Sequence, residues 1–140
     1  VIPFGEARVE KEGTDATIVT FSRQVGFSLD AAAQLESEGI SVEVVNLLSI
    51  RPLDRDTIIE SVKKTNHLIT VEEGWPQCGI GAEIAAIVME TDAFDYLDAP
   101  VNRVTGADVP MPYATSLERA AVPQVENICT AVKNTLNKQM

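Results

Sequence analysis

The sequence predicts an α/β fold: a three-layer α/β/α sandwich of parallel strands with one exposed edge strand. Short β-branched runs alternate with helical periodicity in the order β-α-β-α-β-α-β-α. That alternation gives parallel strands with helices on both faces. The opening stretch "GEARVEKEG", Gly5 to Gly13, alternates charged with small or apolar side chains. Such a pattern suits an edge strand protected by charge. A length of 140 residues fits one domain with a single core, and a chain of that size buries roughly two thirds of its surface without disulfide or metal support.

"ATIVTFS", Ala16 to Ser22, is too short for a helix and reads as a buried strand. In "GFSLDAAAQLESEGI" Phe27, Ala31 and Leu35 recur at helical spacing, and Gly39 is the expected stop. "SVEVVNLLSI", Ser41 to Ile50, is the second strand. Pro52 interrupts the chain, and Asp54 is placed to cap "RDTIIESVKKTN", a helix with cations in its last turn. "HLITVEE" is the third strand. "GAEIAAIVMET" is the third helix, with Ile84, Ile87 and Val88 on one face. "VNRVTGAD", Val101 to Asp108, is the fourth parallel strand. The last helix, "PQVENICTAVKNTLNKQ", carries an apolar stripe of Val125, Ile128, Cys129, Val132 and Leu136. Val109 to Leu117 holds two prolines and no periodicity, so it reads as a loop.

Composition narrows function by exclusion. The formal charge is −10, which opposes nucleic-acid binding, since a binder needs cations to displace counterions from phosphates. The same charge either speeds encounter with a basic protein partner or only aids solubility. No apolar run approaches the ~18 residues of a membrane span, and no signal peptide is visible. The first residue is Val1 rather than Met, so the expectation is a single domain over residues 1–140, cut from a longer protein. Cys78 and Cys129 lack the spacing of a zinc site, leaving two reduced thiols or one disulfide.

The stretch "TVEEGWPQCGIGAEI", Thr70 to Ile84, has the strand–glycine–helix order of a phosphate loop. Its details disagree with that chemistry. Where a dinucleotide fingerprint wants Gly or Ala stands Ile84, no lysine follows, and Glu72 and Glu73 would repel a phosphate. The glycines are expected to let the third helix dock closely. Glu72 and Glu73 are candidates for an acid/base pair. As strand neighbours, however, they point to opposite faces, so one is expected to cap loop amides or meet a cation across an interface. Trp75 is a lid on the core or an interface anchor. His67 lies at the amino end of its strand, the wrong edge for catalysis, and reads as a capping or surface imidazole. Arg51 reads as a partly buried ion-pair residue. No nucleophile elbow is present. The inventory describes an interaction domain. The competing reading is a small-molecule enzyme or nucleotide module built on Glu72, Glu73, Gly79 and Gly81.

The motifs "NLLSIRPLD", "KTNHLITVEEGWPQCGIGAEI", "YLDAPVNRVTGADVPMPYA" and "VPQVENICTAVKNTLN", in that order, resemble the C-terminal domain of pyruvate dehydrogenase E1 β subunits, a resemblance that covers Phe4 to Asn137. "EEGWPQ" and "TGADVPMPYA" favour that family over the branched-chain 2-oxoacid dehydrogenases. Another 2-oxoacid dehydrogenase or a transketolase-like enzyme is the alternative. The resemblance implies a transketolase C-terminal fold, a five-stranded, mostly parallel sheet with one antiparallel edge strand. It implies an α2β2 enzyme of the mitochondrial matrix if eukaryotic, otherwise cytoplasmic. That enzyme uses thiamine diphosphate and magnesium, neither expected on this domain, to decarboxylate pyruvate and acetylate the lipoyl group of E2. The implied partners are a second β subunit, the α subunit and the basic peripheral subunit-binding domain of E2, with no nucleic acid or membrane. The acidic docking position of the "LDAP" motif falls on Asp98. Glu72, Glu73, Trp75, Pro76, Asp108, Met111 and Tyr113 are the candidate interface residues, and His67 inherits no catalytic role.

Overall fold

The apolar runs form a five-stranded sheet in the computed structural model, which describes residues 2–137. The strands are Arg8–Lys11 (β1), Ala16–Thr20 (β2), Val42–Asn46 (β3), Leu68–Val71 (β4) and Asn102–Val104 (β5). Their spatial order is β1-β3-β2-β4-β5. β1 runs antiparallel to β3, with an irregularity between Val9 and Lys11, and the other pairs are parallel. The helices are Gln24–Ser37 (α1), Arg55–Thr65 (α2), Ile80–Met89 (α3), Thr115–Ala121 (α4) and Val125–Asn137 (α5).

The period of two along each strand divides the core. Ile18, Val44 and Ile69 face α1 and α5, where they meet Leu35, Ile128 and Val132. Val19, Val45 and Leu68 face α2 and α3, where they meet Ile58, Val62 and Ile84. Burying each such side chain contributes about 2 kcal/mol. The three-layer sandwich and the antiparallel edge strand are as expected, and so are the apolar faces of the third and last helices.

Two predicted signals end their helices. Asp54 Oδ1 accepts from the Thr57 amide at 3.1 Å at the start of α2. Gly39 takes φ +83°, which lets its own amide and that of Ile40 bond back to Glu36 and Leu35.

Several boundaries differ. β3 ends at Asn46 and β5 at Val104, both short of the predicted stretches, because the chain then turns into loops at the carboxyl edge. α1 starts at Gln24 and takes in Gly26. A 3-10 turn, Asp92–Tyr96, was not predicted, and α4 occupies the end of the expected loop. α4 buries only Ala121, so it leaves no apolar stripe to find.

Candidate functional site

β2 connects through α1 to β3 on one side, while β4 connects through α3 to β5 on the other. The chain thus leaves β2 and β4 in opposite directions, and open α/β sheets bind ligands in the crevice this creates at the carboxyl ends. Here the crevice is closed by the protein's own carboxylates. Glu72, only 4% exposed, turns under α3. Its Oε2 accepts from the Ile80 amide at 3.0 Å and its Oε1 from the Gly81 amide at 2.9 Å. These are the unpaired donors of a helix N-terminus, the groups that hold a phosphate in nucleotide-binding loops. A side chain now fills that place.

The glycines make the room. A Cβ on Gly79 would lie 2.5 Å from Glu72 Oε1, and one on Gly81 would lie 2.5 Å from Thr70 Oγ1. The Gly-x-Gly pattern therefore serves close approach of a carboxylate and a helix. The expectation that one glutamate caps loop amides holds for Glu72. Its place among interface candidates is corrected, because the side chain faces inward.

Glu73 points to the opposite face, so the two carboxylates do not converge on an acid/base site. Its Oε1 accepts from Arg23 Nε at 2.6 Å and from Gln24 Nε2 at 3.1 Å. The cation it meets is in its own chain. Beside it, the loops after β4 and β5 are tied together: Trp75 Nε1 donates to Val109 O at 3.1 Å, Arg103 Nη1 to Pro76 O at 2.7 Å, and the Gly106 amide to Gly74 O at 2.9 Å. Trp75 remains 56% exposed and bridges two loops instead of covering the core. Asp108, Met111 and Tyr113 are also exposed, and Pro76 is half-buried.

At the amino edge of the sheet, His67 is buried at 3% exposure, so of its two expected roles the surface imidazole is corrected and the capping one remains. Its Nδ1 lies 3.0 Å from both Asp15 O and Thr65 O, so it donates to backbone where two chain segments meet. Asp98 is exposed at this edge. Its amide donates to Asn66 O at 3.0 Å, and Asn66 Nδ2 donates to Tyr96 O at 2.7 Å. Asn66 adopts φ +63°, at the C-terminus of α2, to make both contacts.

Arg51 is exposed and makes no ion pair among the described residues, contrary to expectation. The ion pair with a buried acid was not foreseen, and its cation, Lys64, reaches in from the surface. Glu43, 1% exposed on β3, contacts Lys64 and accepts from Ser61 Oγ at 2.5 Å. Burial works against the Lys64 charge, but its bonds to Glu12 and Glu43 outweigh that and raise its pKa. The motif that could have exposed this pair is a lone acid inside the apolar run "VEVVN". Both cysteines are free thiols, Cys78 exposed and Cys129 buried. Burial pushes the Cys129 thiol up, which opposes a reactive thiolate. Among the described residues no cluster of His, Cys, Asp or Glu could hold a metal ion.

Fold and site together define a five-stranded α/β/α domain with one antiparallel edge strand and a carboxyl edge closed from within. The chain belongs to the transketolase C-terminal domain family, which matches residues 5–128. It is 58% identical over 137 residues to the mitochondrial pyruvate dehydrogenase E1 component subunit beta of Homo sapiens, covering 98% of this chain and 38% of that protein. It is 63% identical over 132 residues to the mitochondrial subunit beta-1 of Oryza sativa subsp. japonica, covering 94% of this chain and 35% of the relative. Among solved structures, a split gene transketolase described as an inactive beta4 tetramer superposes with a TM-score of 0.83 at 31% identity, over 97% of this chain and 43% of the other. The chain thus spans well under half the length of these relatives.

Proposed function

We propose that this is the C-terminal assembly domain of a pyruvate dehydrogenase E1 β subunit, one domain of a longer polypeptide. In this reading it supports β–β association and contact with the α subunit, and docks the basic peripheral subunit-binding domain of E2. The observation that carries it is identity of 58–63% over nearly the whole chain to E1 β subunits. The relatives' names support a mitochondrial location. The complete enzyme would use thiamine diphosphate and magnesium to decarboxylate pyruvate. The residues here do not fit the diphosphate, because Glu72 already takes the α3 amides, and no chemical step is assigned to this domain.

The two edges divide the contacts. Exposed Trp75, Met111 and Tyr113, with Glu73, Pro76 and Asp108 around them, support a subunit-facing role for the carboxyl edge. Exposed Asp98 and the formal charge of −10 support docking of a basic domain at the amino edge. Titration of the E2 subunit-binding domain into this chain tests the docking role. Salt-sensitive binding that weakens on Asp98→Lys is expected. Absence of binding at low salt, even when the domain is dimeric, rejects it.

A further inference from the structure

We propose that the groove beside Asp98 is an anchor pocket for one large apolar side chain carried on a basic protein segment. The inference rests on the docking reading above and adds to it a second, apolar half of the contact. The groove is a cavity of about 510 Å³ between the end of α3, the 3-10 turn and the start of β5. Ala85, Met89, Phe94, Leu97 and Val101 line it, and among the described residues Asp98 is its only charged lining residue. Met89 is 61% and Phe94 50% exposed, so the lining is a surface with apolar area to cover.

The groove is preformed. Buried Ala93 roots the 3-10 turn in the core, and Thr91 Oγ1 donates to Ile87 O at 2.9 Å. Asn66 holds the other end through Tyr96 O and the Asp98 amide. Little ordering is then left to oppose binding. The pliable Met89 side chain lets the wall fit the shape of its guest.

Charge selects the occupant. Glu90, Asp92, Asp95 and Asp98 fall within nine residues around the groove. The neighbouring cation Lys63 is 2.8 Å from Asp92 Oδ2 and lies over the Tyr96 ring. The other three carboxylates have no ion pair among the described residues. Anionic lipid and nucleotide are repelled by that rim, and so is any acidic face of a second copy of this chain. A basic segment with an apolar anchor satisfies both the wall and the rim.

The sequence holds three methionines, with Met89 in the groove and Met111 at the opposite edge. Methyl-labelled methionine therefore reports the contact directly as the E2 subunit-binding domain is titrated in. The Met89 methyl is expected to shift in step with binding and Met111 to stay. Phe94→Ser should weaken binding about tenfold without changing its salt dependence, whereas Asp98→Asn should flatten the salt dependence. Thermal unfolding of each variant checks that its fold is kept. If binding proceeds with Met89 unmoved and Phe94→Ser as tight as the parent, the anchor pocket is overturned and docking at Asp98 stands. If the unaltered chain does not bind, both fall. A Met89 shift that follows the concentration of this chain alone makes a second copy the occupant and overturns the proposal.

Discussion

The two edges of the sheet use acidic residues in opposite ways. At the carboxyl edge Glu72 is buried and Glu73 and Asp54 are partly buried, each spent on a donor of the same chain. At the amino edge Asp98 and the neighbouring Asp95 face solvent and hold no cation among the described residues. The difference teaches that the edge where this fold conventionally places ligands has become part of the structure. The opposite edge has kept its charge available. Substitutions at the two edges should therefore separate stability from binding.

The largest expected stability loss is at Glu72. Glu72→Ala leaves the Ile80 and Gly81 amides without their acceptor, at about 1–3 kcal/mol for each buried donor left unsatisfied. The urea midpoint should fall accordingly, and a loss below about 1 kcal/mol would break the contrast between the edges. Gly79→Ala comes next, because its Cβ must displace the same carboxylate or the Trp75 carbonyl 2.7 Å away. Overpacking of this kind costs about 1–3 kcal/mol.

Asp54→Ala removes a helix cap and should cost about 1 kcal/mol. Its pH dependence sharpens the test. Burial alone would push the Asp54 carboxyl up, but hydrogen bonds from the Ala7 amide, the Thr57 hydroxyl and the Thr57 amide outweigh it and hold the pKa below the usual range. A carboxyl lowered on folding stabilises fully above its unfolded pKa of about 4, and that stability is lost as pH falls through the folded value. Acid unfolding curves of the parent and Asp54→Ala should therefore converge in strong acid. A gap that stays constant there assigns the loss to packing alone.

Smaller effects complete the comparison. Arg23→Ala breaks an ion pair whose side chains are 53% and 37% exposed, so it should cost less than about 1 kcal/mol and less still in high salt. Asp98→Lys should leave the stability within about 0.5 kcal/mol of the parent while, under the proposed docking role, weakening capture of the basic E2 domain.

The parts legible in the sequence were those with local causes. The β-branched runs gave strands, Asp54, two residues after Pro52, capped α2, and Gly39 ended α1 through its own φ. That one of Glu72 and Glu73 caps amides was legible because the targets lie only eight and nine residues ahead of Glu72; which of the two does so was not. Long-range partners were not. His67 is buried by the Asp15 carbonyl 52 residues away, and Glu43 meets Lys64 at a separation of 21. Arg23 reaches Glu73 across 50 residues, which no local pattern encodes. α4 escaped because six of its seven residues are exposed, so burial left no periodic trace.

The central claim is that the α3 N-terminus is already satisfied by Glu72. Amide chemical shifts measured while inorganic pyrophosphate is added test it most directly. The Ile80 and Gly81 amides should stay fixed in the parent chain through millimolar ligand. A saturable shift of those two amides in the parent would show a working anion site where the protein's own carboxylate is described, and would contradict the account.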